Sequence, residues 1–253
     1  MIRLCRFVFC VAAGLIFAGP TVADTVEDVQ KKLNDAHGKV KSYAAKTKMI
    51  QDMEMSGVTI KGENTGLILW AKKGDKVLSR IEQKGSMTQN MAGQENKVDM
   101  SSLTISDGDF YYTLAEHSGQ KMATKQNIDP KATMDVQSII DDQKEQFTMK
   151  VMPDDKVDGA DCYVLEGTPK EAEGSPYATT TMWFRKADAI PAKMVGKDKA
   201  GKEVYSYILS DIKVNEDIPA DQFKFTAPEG VEVMDMTGGT AGLSAPKKEE
   251  EGK

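Results

Sequence analysis

The stretch SYAAKTKMIQDMEM, Ser42 to Met55, decides the fold. Tyr43, Ala45, Thr47, Met49, Met53 and Met55 fall on one side of a period of two, and Lys46, Lys48, Asp52 and Glu54 fall on the other. Such alternation reads as a long antiparallel strand with one wetted face. The residues just before it follow a different rule. From Thr25 to about Lys41, Val26, Val29, Leu33, Ala36 and Val40 recur at spacings of three and four, with Lys31, Lys32, Asp35 and Lys39 on the other side. That is an amphipathic helix, and Thr25 with Asp28 supplies a capping box at its start.

Beyond Met55 the extended pattern returns in GLILWAKK, DKVLSRIEQ and LTISDGDFYYTL, with Asp107-Gly108 as a hairpin turn in the last. The run GSMTQNMAGQENKVDMSS before it is polar and reads as an insert. A second helix fits TMDVQSIIDDQKEQF, with Val136, Ile139, Ile140 and Phe147 on one stripe and Thr133 or Asp135 as its cap. Strands then resume in FTMKVM, DCYVLEGTP, ATTTMWFRK, IPAKMVGKD and KEVYSYILSDIKV, with turns at Asp158-Gly159 and Ala200-Gly201, and close with FKFTAP. Roughly ten strands against two helices, without βαβ alternation, predict an α+β fold with an antiparallel sheet and helices packed on one side. No internal repeat or mid-chain linker divides the chain, so residues 24–236 are expected to form one domain.

The two ends read differently. Arg3 and Arg6, the apolar run VFCVAAGLIFA and the small residues Thr21 and Ala23 have the order of an export signal over residues 1–23. Neither Cys5 nor Cys10 sits in a lipobox, so a mature chain beginning near Asp24 and exported to the periplasm is expected. Residues 237–253 are small, polar and charged and read as a disordered tail. Removing the signal leaves Cys162 as the sole cysteine, which excludes an intramolecular disulfide and reads as a small buried side chain in a strand.

Composition removes several functions. The formal net charge is −6, and no basic cluster accompanies aromatic residues, which argues against nucleic acid as a partner. Beyond the N-terminus only Arg80 and Arg185 remain, so bidentate recognition of phosphate or carboxylate is poorly supplied. His37 and His117 are the two histidines, and no nucleophile elbow, phosphate loop or zinc-ligand spacing occurs. In PDDKVDGAD, Asp154, Asp158 and Gly159 match a calcium loop in part, but Lys156 and Leu165 stand where ligands are needed. No catalytic residue, metal or cofactor is therefore assigned. Methionine stands out instead, with 15 in the chain. Its unbranched thioether fills gaps in ordinary cores, and it also suits surfaces that re-pack around varied ligands.

The closing FKFTAPEGVEVMD resembles the ending of the LolA family of periplasmic lipoprotein carriers, through Phe223, Phe225, Pro228, Gly230, Val231 and Val233. SDGDFYYTL, Ser106 to Leu114, is similar to a hairpin of that family, and AKMVGKDKAGKEVYSYILSDIKVNEDIPADQF to its penultimate hairpin. The resemblance covers most of residues 25–236. It departs at AKKGDK, where the carriers often have Arg-Pro, and at the long polar insert. It implies a curved, unclosed half-barrel with helices as a lid over an apolar cavity, and a last strand bent by Pro228 and Gly230 around the barrel mouth. It implies a monomer, not an enzyme, that ferries lipid acyl chains or lipoproteins between a membrane donor and an acceptor. Met49, Met53, Met55, Leu67, Leu69, Ile139, Ile140, Met182, Phe184 and Phe225 are the residues expected to line the cavity. A lipid- or stress-sensing module of the same fold, bound to a membrane protein, is the alternative.

Overall fold

A computed structural model describes residues 24–55, 57–91, 93–128, 136–171, 173 and 175–238. The export segment, the candidate caps Thr133 and Asp135 and the tail from residue 239 lie outside them. Helix α1 (Val26–His37) starts on the capping box read in the sequence: Asp28 N–H donates to Thr25 Oγ1, and Thr25 N–H donates to the Asp28 carboxylate. Six strands follow, β1 (Ser42–Met55), β2 (Val58–Lys73), β3 (Lys76–Met91), β4 (Gln94–Ser106), β5 (Phe110–His117) and β6 (Gln120–Asn127). Helix α2 (Val136–Gln146) leads into β7 (Phe147–Val157), β8 (Ala160–Pro169), β9 (Thr179–Arg185), β10 (Pro191–Lys197) and β11 (Glu203–Val214). A 3-10 turn (Ala220–Phe223) and β12 (Val233–Asp235) complete the order.

All twelve strands join one sheet in the order β12-β6-β5-β4-β3-β2-β1-β11-β10-β9-β8-β7. The two outer strands do not pair with each other, so the sheet is unclosed. Neighbours are antiparallel throughout, except that β12 runs parallel to β6. Two meanders, β1–β6 and β7–β11, thus meet at a single seam where β1 pairs with β11.

Three expectations change. The polar insert, to which the sequence assigns no strand, continues β3 to Met91 and supplies most of β4, because its residues alternate once paired, Met87 opposite Val98 and Gly85 opposite Met100. Phe147 opens β7 rather than ending α2. FKFTAP is not a strand. Phe223 closes the 3-10 turn, where Lys224 N–H donates to Asp221 O at 3.1 Å, and residues 224–232 run across the sheet without pairing to it. Pro228-Glu229-Gly230 makes a turn, closed by Val231 N–H on Pro228 O at 3.1 Å, with Gly230 at φ +76°. That turn redirects the chain into β12.

The register assigns every side chain to one of two faces. Both helices lie on one of them. Val29, Leu33, Val136 and Ile140 pack directly against Leu165, Met182 and Phe184 of β8 and β9. A second apolar cluster on the same face joins Tyr43, Ala45, Ile68, Trp70 and Leu209, with Trp70 stacked on Tyr43 at 5.7 Å. The opposite face is covered in part by the C-terminal segment. Phe225 stacks on Tyr112 at 5.2 Å, and Arg80 donates to Gln222 O at 3.2 Å.

Candidate functional site

The helices cover only part of their face. Beside them, from β4 to β10, the cross-strand register aligns a row of side chains: Met100, Gly85, Asn64, Met49, Tyr207 and Met194. A second row runs next to it through Val98, Met87, Gly62, Gln51, Tyr205, Gly196 and Thr180. Met49, Met53, Met87, Met100, Met194, Tyr205 and Tyr207 are all half-buried, so these rows form an open apolar floor rather than a closed core. Glycine keeps the floor low. At Gly85 a Cβ would strike the Glu63 carbonyl and Asn64, and at Gly196 the Tyr177 ring occupies the space a side chain would fill.

Tyr177 comes from the β8–β9 connection and lies 6.1 Å from the Tyr205 ring. Next to it a groove of about 550 Å³ opens between the end of α2, at Glu145 and Gln146, and Phe147, Pro169 and Tyr177. Burial raises the hydroxyl pKa of Tyr177 and Tyr205, and pushes that of Tyr207 up to about 12, because a phenolate there loses water. These hydroxyls stay neutral at physiological pH. Asn64 Oδ1 and Thr180 Oγ1 are buried without a protein partner, so the floor offers two polar points within apolar surroundings.

A larger groove, about 830 Å³, lies on the opposite face. Glu63, Lys84, Asp99 and Glu116 line it, as Glu145, Lys170, Glu171 and Glu173 line the smaller groove, so neither groove is by itself a host for an apolar ligand. Size alone does not make it the site.

The ten residues assigned from sequence separate into three sets. Met49 and Met53 lie on the open floor and its margin, and the Met55 side chain lies outside the described residues. Ile139, Ile140, Met182 and Phe184 belong to the close-packed layer between helices and sheet, where Ile140 and Phe184 are fully buried. Leu67, Leu69 and Phe225 sit on the opposite face from the floor. Leu67 pairs with Lys46 and Leu69 with Ala44, whereas Met49 pairs with Asn64, so strand parity puts the leucines on the other surface. There Leu67 and Leu69 meet Ile218 and Pro219 in a small groove of about 320 Å³. Sequence reasoning missed Met87, Met100, Tyr177, Met194, Tyr205 and Tyr207. The alternation in YSYILS puts Tyr205 and Tyr207 on one side, and that was the available signal for two of them.

Among the described residues no group of three or more His, Cys, Asp or Glu is placed to hold a metal ion, and no helix is long and apolar enough to cross a membrane. Cys162 is buried, its thiol 3.4 Å from Ala160 O, and burial raises its pKa.

Comparison with known proteins returned both sequence and structural matches. A family model described as "Uncharacterized protein" matches residues 132–227. An uncharacterized protein of Methanocaldococcus jannaschii is 30% identical over 134 residues, 52% of this chain and 37% of that protein. This chain thus spans little more than a third of that relative's length. Among solved structures, the MucA/MucB complex of Pseudomonas aeruginosa matches at 12% identity and TM-score 0.49, over 79% of this chain and 60% of the other. A LolA superfamily protein of Nitrosomonas europaea matches at 12% identity and TM-score 0.27, over 80% of this chain and 99% of the other.

Proposed function

We propose that this protein is a carrier for lipid acyl chains, free or on a lipoprotein, exported to the periplasm and working without chemistry of its own. One observation carries the reading: the register sets Met100, Met49, Tyr207 and Met194 in a line across β4 to β10, on a floor left open by both helices. Thioethers adapt to chains of differing shape, and each methylene taken from water contributes about 0.8 kcal/mol. A long chain is then held firmly yet reversibly, and a better acceptor suffices for release. The buried Asn64 Oδ1 can take a hydrogen bond from a hydroxyl or amide near the head of such a ligand.

The test is native mass spectrometry of the purified protein, joined to displacement of a fluorescent fatty-acyl probe. Bound lipid and probe binding are expected, and Met49→Gln should weaken the probe while leaving denaturant stability nearly unchanged, since its amide stays hydrated on an open floor. If the floor is a packed core, the same change buries an unpaired amide and costs about 1–3 kcal/mol, with no probe binding even in the wild type. That result ends the carrier reading. A stoichiometric protein partner without lipid would favour the sensing alternative.

A further inference from the structure

Charge separates between the two faces of the first meander. Pairing sets Lys48 opposite Thr65, Glu63 opposite Ser86 and Lys84 opposite Ser101, all on the face away from Met49. Carried along each strand, the same parity sends every Lys, Arg, Asp and Glu of β1 and of β3–β6 to that face. On β2 the exception is Lys72, near the end of the strand at Lys73. His117, exposed and opposite Met100, is the other side chain of these strands on the floor's face that is able to become cationic. The surface beside the methionines is therefore uncharged without being apolar. Gln83 and Ser102 flank the row of Met49 and Met100 on one side, and Gln89 and Asn96 lie beyond it on the other. Cations at the margin are already engaged: Lys32 by Asp24, and Lys144 by Glu27 and Gln30. The groove next to Tyr177 sets Glu145, Glu171 and Glu173 against Lys170.

We propose that the floor selects an acyl chain joined to an uncharged, hydroxyl-bearing head, of the acylglycerol kind, and rejects the same chain under a phosphate. The proposal rests on the carrier reading above and narrows its ligand. A side-chain amide presents both a donor and an acceptor, and so does a hydroxyl, so Gln83, Gln89 and Asn96 satisfy a polyol in either direction. A phosphate brings acceptors and charge onto a surface where the methionine rows hold no cation to offset them. Asn64 sharpens the choice. It is 8% exposed, and its Oδ1 is buried without a protein donor. That oxygen repels a phosphate oxygen and accepts from a hydroxyl.

The test displaces the fluorescent fatty-acyl probe with two lipids that differ only at the head, 1-oleoylglycerol and 1-oleoylglycerol 3-phosphate, both below their aggregation limits. Measurement at pH 8 keeps imidazole groups out of the comparison. The uncharged lipid should displace the probe from the wild type at about tenfold lower concentration, and the preference should persist at high salt. Gln83→Lys, and independently Gln89→Lys at its exposed position, should strengthen the phosphate lipid and remove most of the preference, while Lys84→Gln on the other face should leave it. Comparing variants with the wild type cancels the different solubilities of the two lipids. Equal displacement by both lipids overturns the proposal. So does a preference that salt abolishes, which would trace it to the net charge of −6 and not to the floor. An unchanged preference in folded Gln83→Lys and Gln89→Lys proteins overturns it as well. Loss of selectivity alone leaves the carrier standing, whereas failure to bind the probe and both lipids removes the carrier and this inference together.

Discussion

Tyr207 lies between Met49 of β1 and Met194 of β10, at the middle of the open floor. Burial holds its hydroxyl neutral up to about 12, and Tyr43, deeper on the same face, is raised as well. Each folded value lies above the unfolded tyrosine value of about 10, so the proton is held more tightly in the folded protein. The resulting contribution is complete below about pH 10 and is lost as pH rises through the folded values. Unfolding free energy measured in urea should therefore fall between pH 10 and 12, and Tyr207→Phe should flatten part of that fall. An unchanged slope in the variant would mean that the ring is solvated. From the sequence, Tyr205 and Tyr207 were visibly on one side of a strand. Which side carries the helices was not, because Ser206, Ile208 and Ser210 opposite them are also a mixed set.

At the scale of elements, β2 and β3 cross closely where Gly85 meets Asn64. A Cβ at Gly85 would collide with the Glu63 carbonyl, a backbone atom that cannot swing away, whereas the nearest atom to one at Gly62 is Ser86 O at 3.2 Å. Gly85→Ala is therefore expected to cost about 1–3 kcal/mol in urea unfolding, and Gly62→Ala clearly less. Equal costs would mean that the close approach is not what Gly85 serves. The strands with one wetted face, β1 and β2 above all, were legible because charge alternates with apolar residues along them. The 86–102 region was not, since Gln89, Asn96 and Ser102 share the apolar face with Met87, Met91 and Val98 and blur the period. The closing segment misled for a different reason. Phe223, Phe225 and Ala227 alternate as a strand does, but Phe223 is spent on the 3-10 turn and Phe225 on stacking with Tyr112. The same limit explains the site. Pairing of Leu67 with Lys46 and of Leu69 with Ala44 places them on the face away from Met49, and that placement is a property of two strands and not of one.

For the whole molecule, the pairing of β11 with β1 has no local signature in the sequence, and it is the join on which the sheet depends. Within each meander, most successive strands are linked by short turns, so their ladders can zip with little loop entropy. The seam is different, since Tyr43 and Val214 lie about 170 residues apart along the chain. During synthesis the first meander leaves the ribosome with the long β1 edge unpaired until residues 203–214 exist, and a bare edge invites association with other chains. The seam should thus govern how fast the native state is reached. Leu209→Ala, which strips a buried side chain opposite Thr47, should slow refolding from denaturant, while Ala115→Gly in the β5–β6 hairpin should chiefly hasten unfolding. Stopped-flow folding and unfolding rates separate the two, and a Leu209→Ala effect confined to unfolding would place the seam after the barrier. In the cell, the long-range join that lets one sheet carry both meanders also makes the nascent chain vulnerable for as long as its second half is still being made.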